Sequence, residues 1–329
     1  MILQVLSAAY GAGASWRRRW YAARPSRRRR LARPVISVGN LTVGGSGKTP
    51  VVETIARMLL AEGERPVILT RGYARPRPRR GVTVVSDPSR IVAGYQDAGD
   101  EPLMLARALP GVPVLVGADR GESGRFAEER FDATVHLLDD GFQHLTLERD
   151  VDLLLADVDV LAERVLPAGR LREPIEAAKF ADAVLVTKVR LTPDATSEVA
   201  EKLGINTAFT VTRTLGDPPG IGKDQQVFAV AGVARPERFF DDLRAAGWRV
   251  AGTLSFPDHH RFTLSDVDRI RAGAKTAGAP VLLTTAKDAV RLDTLDAGGV
   301  TFAAVPLTAR VEPVERFREW LMAKLRRAR

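Results

Sequence analysis

Gly47-Lys48-Thr49, closing a glycine-rich run that follows a short β-branched stretch, is the pattern in this chain best suited to chemistry on phosphate. The full run is Val35-Ile36-Ser37-Val38-Gly39-Asn40-Leu41-Thr42-Val43-Gly44-Gly45-Ser46-Gly47-Lys48-Thr49-Pro50, and a helical apolar pattern continues over 51–60. Strand, glycine turn and helix in that order give a P-loop match its meaning. Glycines let consecutive backbone N–H groups curl round a phosphate, and the helix N-terminus adds partial positive charge. Thr42, Val43, Gly44, Gly45, Ser46, Gly47, Lys48 and Thr49 then form the cradle of a nucleoside triphosphate. Lys48 would reach the β/γ-phosphates and the Thr49 hydroxyl would ligate Mg²⁺. The strict pattern has Gly where this chain has Thr42. A glycine turn with a chance Gly-Lys-Thr is the plainer alternative, and the flanking strand and helix weigh against it.

Other clusters suit the same chemistry. Asp139 and Asp140 follow the apolar stretch Val135-His136-Leu137-Leu138, where a Walker-B carboxylate would hold Mg²⁺ near the P-loop threonine. Alone, Asp-Asp-Gly after a strand is a turn. In Gly99-Asp100-Glu101-Pro102 the acids stabilise any helix N-terminus, or else Asp100 takes the proton of an acceptor hydroxyl. Two of the four histidines, His259 and His260, are adjacent and point in different directions, so one of them serves a site. His259, next to Asp258, is a structural loop histidine or one oriented by a carboxylate. Arg172 in Arg170-Leu171-Arg172-Glu173, Arg120 after Asp119, and the cations of Thr285-Ala286-Lys287-Asp288-Ala289-Val290-Arg291 are surface charges or braces for a transferring phosphate. Val186-Thr187-Lys188 is a weaker match to a base-reading loop.

The elements that must position these residues alternate. Strand-like runs at 66–70, 82–85, 114–116, 134–138, 151–155 and 183–187 are separated by helical patterns at 101–108, 122–130 and 174–180. Near-continuous Val, Leu and Ile in the strands predict a parallel sheet covered on both faces. The stretch 209–213 is expected to close this sheet. A Gly/Pro-rich linker at 216–223 precedes a second α/β pattern, with strands at 227–230, 249–254, 281–284 and 301–305 and helices at 236–246 and 265–277. A basic amphipathic helix ends the chain at 312–329. The expected organisation is an arm at 1–33, a P-loop nucleotide-binding domain at 34–218 and a smaller α/β domain at 219–329. With 329 residues, more than one core is the default. No cysteine is present, which excludes disulfides, thiolate catalysis and cysteine-bound metals. The Arg/Pro-rich loop 75–80 is expected to be solvated.

The net charge of +9 belongs to the arm. Residues 1–33 hold nine arginines and no acid or lysine, and the remainder balances 40 basic against 40 acidic residues. Sixteen uncharged residues precede the arginines, too few for a spanning helix and in the wrong order for a secretory signal. Trp16, Trp20, Tyr21 and clustered arginines beside an apolar run favour a membrane interface, with anionic lipid meeting Arg17–Arg19 and Arg27–Arg30. Solvated charge and nucleic acid are the competing readings; no nucleic acid is expected.

Taken together and in order, these motifs resemble one family, tetraacyldisaccharide 4′-kinase, the lipid A 4′-kinase of bacteria with outer membranes. The resemblance runs through Leu6-Ser7…Tyr10, the run 39–50, Thr70-Arg71-Gly72-Tyr73, Gly99-Asp100-Glu101-Pro102, Leu138-Asp139-Asp140-Gly141-Phe142-Gln143-His144, Gly169-Arg170-Leu171-Arg172-Glu173, Phe256-Pro257-Asp258-His259-His260 and Thr284-Thr285-Ala286-Lys287-Asp288. Thr42 matches this family's own form of the loop. The resemblance implies ATP and Mg²⁺ as cofactors, with Lys48 and Thr49 on the phosphates and metal, and Asp139, Asp140 and Glu173 shaping the metal site. It implies that Asp100, coupled to His259, activates the 4′-hydroxyl of an acylated glucosamine disaccharide. Arg172 and Arg120 neutralise the phosphoryl charge. The implied location is the cytoplasmic face of the inner membrane, whose anionic surface the arm engages. A regulatory or partner-loading P-loop NTPase without a lipid substrate is the alternative, since the fold hosts many functions.

Overall fold

A computed structural model describes residues 1–44, 47–187, 193–295 and 302–329. The larger sheet begins with β1 (Val35–Gly39), β2 (Pro66–Thr70), β3 (Thr83–Ser86), β4 (Val114–Val116), β5 (Val135–Asp139), β6 (Val151–Ala156), β7 (Ala183–Thr187) and β8 (Ala208–Leu215). A smaller sheet contains β9 (Gln226–Ala231), β10 (Arg249–Ser255), β11 (Val281–Thr285) and β12 (Phe302–Val305), in the order β10-β9-β11-β12 and all parallel. The chain then returns as β13 (Leu307–Glu312) to the larger sheet, whose order is β13-β8-β7-β6-β1-β5-β2-β4-β3. Only the two edges, β3 and β13, run antiparallel. Every residue of β1, β2, β5, β6 and β7 is buried, as expected of parallel strands covered on both faces.

The helices are α1 (Ile2–Ala22), α2 (Lys48–Ala61), α3 (Tyr95–Ala98), α4 (Asp100–Ala108), α5 (Arg120–Phe131), α6 (Pro193–Leu203), α7 (Pro236–Ala245), α8 (Leu264–Thr276), α9 (Ala286–Leu292) and α10 (Val314–Ala328). In α2, Val51, Val52, Ile55, Ala56 and Leu59 recur at helical spacing and are fully buried over Ile36 and Val38 of β1. Pro50 sits in its first turn, where no N–H partner is needed. The stretch 175–180, read as helical, is a 3₁₀ helix.

The return of the chain differs from the expected division at 218/219. Residues from Leu307 onward belong to the larger sheet, because β13 pairs with β8 over Leu307↔Leu215 to Glu312↔Thr210. Pro306 separates β12 from β13 and lets adjacent strands serve two sheets. Phe317, Leu321 and Leu325 of α10 then bury in the core that holds Ile36 and Phe209, with the Phe209 and Phe317 rings 5.0 Å apart. The strand expected to close the sheet, β8, therefore has a neighbour outside it. The smaller unit is an insertion between β8 and β13, held against the larger by α4–α9 packing and an Arg107–Asp293 ion pair of 2.6 Å.

Candidate active site

The P-loop leaves β1 at the centre of the sheet, between β5 and β6. A Cβ at Gly39 would lie 2.4 Å from the Cβ of Phe142, so only glycine lets the β1 and β5 ends approach this closely. Gly44 and Gly47 take positive φ of 96° and 80°, which L side chains resist, and Gly47 caps α2. Asn40 organises the start of the loop. Its Nδ2 donates to the Thr42 carbonyl at 2.9 Å and to the Thr42 hydroxyl at 3.0 Å, while its Oδ1 accepts from Lys48 Nζ at 3.1 Å and from Arg172. Val43 donates its amide to the Arg170 carbonyl at 2.8 Å, and Thr42 bridges to Leu171, so these two residues fasten the loop to the 170–171 segment. That amide is thereby committed and does not line a phosphate cradle. Gly45 and Ser46 lie outside the described residues, as does Lys188.

Around the loop the structure brings Lys48, Asp140 and Arg172 together. Arg172 forks onto Asp140 with distances of 2.9 and 2.8 Å, and Lys48 Nζ lies 3.5 Å from the same carboxylate. Burial alone would raise the Asp140 carboxyl, but the Arg172 hydrogen bonds and the Lys48 charge hold it down at about 2. Asp139, the last residue of β5, is buried, and its carboxyl is pushed up by that burial and next by the charge of Glu101. Arg120, the first residue of α5, is 5% exposed. Burial, and then the charge of Arg71, push its guanidinium down to about 10. The Nε atoms of Arg120, Arg172 and Arg213 are all buried without a hydrogen-bond partner. Three cations with unspent donors around one loop make a site for a polyanion.

Glu173 stands apart from the acid pair. Arg18 of α1 donates to both of its oxygens, at 2.5 and 2.6 Å, and both side chains are buried. No group of three or more His, Asp or Glu able to hold a metal occurs among the described residues. Glu173 anchors the arm in this structure. Magnesium is bound through one or two carboxylates together with phosphate oxygens and water. The buried carboxylate of Asp139 at the end of β5, with Thr49 in the first turn of α2, offers oxygen ligands of that kind.

The acceptor-side candidates also meet. Gly99, with φ of 85°, turns the chain into α4, and Asp100 is the first residue of that helix. His259, from the smaller unit, adopts φ of 57° and places Nδ1 3.1 Å from Asp100 Oδ2. Burial would raise the Asp100 carboxyl; the His259 hydrogen bond and then the Lys287 charge outweigh it and hold the carboxyl below its usual value. His260 turns away to Asp266 at 3.0 Å and stacks on Phe256, which separates the roles of the two adjacent histidines. His136 and His144 are bound to Glu128 and Thr146. One cavity of about 640 Å³ lies between the units, lined by Gly47 and Thr49 on one wall and on another by Glu101 and Lys287, neighbours of the Asp100–His259 pair.

Asn40, Arg213 and Lys287 were not singled out by sequence reasoning as site residues. Asn40 carried no local signal beyond its place in the run, whereas Arg213 is a charge inside a strand and Lys287 lay in a cluster already noted. The arm is the helix α1, uninterrupted by Gly11 or Gly13. Gly11 lets it lie on Pro174, whose Cγ would be 3.3 Å from a Cβ there. Ile2, Leu3, Val5, Leu6 and Trp16 are exposed. The arginines divide: Arg18 is buried, Arg29 pairs with Asp119 and Arg30 with Glu148, while Arg19 and Arg27 make no ion pair among the described residues. The loop cation Arg79 likewise pairs with Asp97 at 2.9 Å.

The chain is similar to known proteins over nearly its whole length. A family model described as tetraacyldisaccharide-1-P 4′-kinase matches residues 1–326. A tetraacyldisaccharide 4′-kinase of Geobacter metallireducens is 40% identical over 328 residues, covering 95% of this chain and 94% of that protein. The protein of the same name from Geobacter sulfurreducens is 41% identical over 299 residues, covering 88% and 84%. Among solved structures, the "apo" form of LpxK from Aquifex aeolicus in complex with ATP superposes with a TM-score of 0.79 at 31% identity, covering 98% of each chain.

Proposed function

Since the chain belongs to the tetraacyldisaccharide-1-P 4′-kinase family, a kinase of lipid A biosynthesis, we propose that it works through a donor side at the P-loop and an acceptor side at Asp100 and His259. The observation that carries this reading is the 3.1 Å contact between Asp100 of the larger unit and His259 of the smaller one. ATP is the donor; the Aquifex aeolicus relative is in complex with ATP. Lys48, Arg172 and Arg120 bear on its phosphates, where fixed charges in a water-poor cleft stabilise the charge of phosphoryl transfer. Thr49 and Asp139 would hold Mg²⁺, with Asp140 kept in place by Arg172 and Lys48; the ion, when bound, neutralises phosphate charge. Asp100 and His259 act as a unit on the 4′-hydroxyl of the acylated disaccharide, and the positioning of two reactants accounts for much of the rate.

We place the enzyme on the cytoplasmic face of the inner membrane. No helix among the described residues is long and apolar enough to cross a bilayer. The exposed apolar residues of α1 and the free arginines Arg19 and Arg27 suit a helix lying at the headgroup boundary, near its lipid substrate. The test is direct: protein, γ-labelled ATP and the acylated disaccharide 1-phosphate are incubated, and the lipid is analysed for label at the 4′-position. Label released only as inorganic phosphate, with the lipid unchanged, would overturn the reading.

A further inference from the structure

Lys287 stands on the acceptor pair. It is the second residue of α9, a helix capped by Thr285. Its Nζ lies 3.2 Å from His259 Nε2, 3.2 Å from Glu101 Oε1 and 3.4 Å from Asp258 Oδ1. Burial works against its charge, and Glu101, Asp100 and Asp258 overcome that and strengthen it. A charged amine has three N–H donors and no lone pair. His259 Nε2 is therefore the acceptor of this contact, and the ring proton sits on Nδ1, donated to Asp100. The Tyr73 ring, edge-on at 5.6 Å, packs against the imidazole.

We propose that Lys287 is a positioning residue for phosphoryl transfer: it holds His259 in the Nδ1–H tautomer, occupies the Nε2 lone pair before the lipid arrives, and yields that place to the 4′-hydroxyl. The inference rests on the reading of Asp100 and His259 as the acceptor-side pair. Glu101 offers the displaced ammonium a partner at the same distance, so the exchange strands no charge. The hydroxyl then donates to Nε2. Its oxygen bonds to the γ-phosphorus as the bond to the β,γ-bridging oxygen breaks, ADP leaves, and the proton stays on His259. Around the ring, three carboxylates (Asp100, Asp258 and Glu101) stand against two cations, Lys287 and Arg291, and the excess negative charge offsets the imidazolium formed.

Two measurements test this. Nitrogen-15 spectra of histidine-labelled protein, with His259 assigned by its disappearance in His259→Gln, report the tautomer. The wild type should show protonated Nδ1 and bare Nε2. Lys287→Met should mix the tautomers and lower kcat on the order of tenfold while leaving the KM for ATP unchanged, and Lys287→Arg, which keeps a charged donor, should retain the wild-type tautomer and most of the turnover. Thermal melting identifies any variant that fails to fold, and the Lys287→Arg comparison and the wild-type spectrum then carry the test. A wild-type spectrum with the proton on Nε2, or a folded Lys287→Met with wild-type tautomer and kcat, overturns the proposal. Wild-type turnover in Asp100→Asn and His259→Gln would instead remove the acceptor-side reading beneath it.

Discussion

On the donor side of the cleft, Lys48, Asp139, Asp140, Arg120 and Arg172 all belong to the larger unit, at the ends of β1 and β5 or on segments fastened to them. On the acceptor side, Asp100 comes from that unit and His259 and Lys287 come from the inserted one. The donor side rests on buried strands and on the close approach at Gly39. The acceptor side depends on two bodies meeting. On the proposed reading, phosphate binding is a property of one unit and transfer needs both, so ATP would be held without discharge until the second body is in place.

That contrast is open to attack, most severely at Lys48. Lys48→Ala should lower turnover on the order of 10³-fold, with an unchanged circular dichroism spectrum, because a charge on the phosphates is lost and the residue supports no core packing. Normal turnover in the folded variant would remove the donor side from its place. Asp100→Ala and His259→Ala should each lose roughly 10²-fold in kcat and keep wild-type ATP affinity by calorimetry, and the double variant should be little worse than either. If ATP affinity falls as far as kcat, the two sides are one site and the comparison collapses. Arg18→Ala strands Glu173 in the interior next to Arg172 and should cost about 3 kcal/mol in urea unfolding. A neutral result would detach the arm from the donor side. Smallest is the arm's outer face: Arg19 and Arg27 changed to Gln together should weaken binding to anionic vesicles on the order of tenfold and raise the KM for lipid, with ATP affinity untouched. Equal vesicle binding would return those residues to plain solvation.

The donor side was far more legible in the sequence than the acceptor side, for a physical reason. A P-loop is local, so the strand, the glycines and α2 lie in one continuous run whose residue types are dictated by backbone geometry. Asp100 and His259 are far apart in sequence, and nothing about either alone separates a helix-capping acid or a loop histidine from a reacting pair. Only the approach of the two units does so. Strands buried on both faces were visible as unbroken Val/Leu/Ile runs, but β13 was not. Its residues alternate between exposed and buried at a sheet edge, Arg310 interrupts them, and a single proline divides it from β12. Missing that strand moved the second boundary to the end of the chain. The partner of Glu173, Arg18, was hidden because it lies in an arm whose arginines read as a single lipid-facing run. The structure shows them divided between inward and outward roles.

The pairing of Leu215 with Leu307 has a consequence for how the molecule is made. Synthesis lays down β1 and the P-loop ahead of the insertion, yet β8 keeps a bare edge until the whole insertion has emerged. Only then do β13 and α10 arrive to cover that edge and seal the core over Phe209. The nucleotide-binding unit is therefore begun before the insertion and completed after it, and a nascent chain halted before α10 would expose the hydrophobic face that this helix covers.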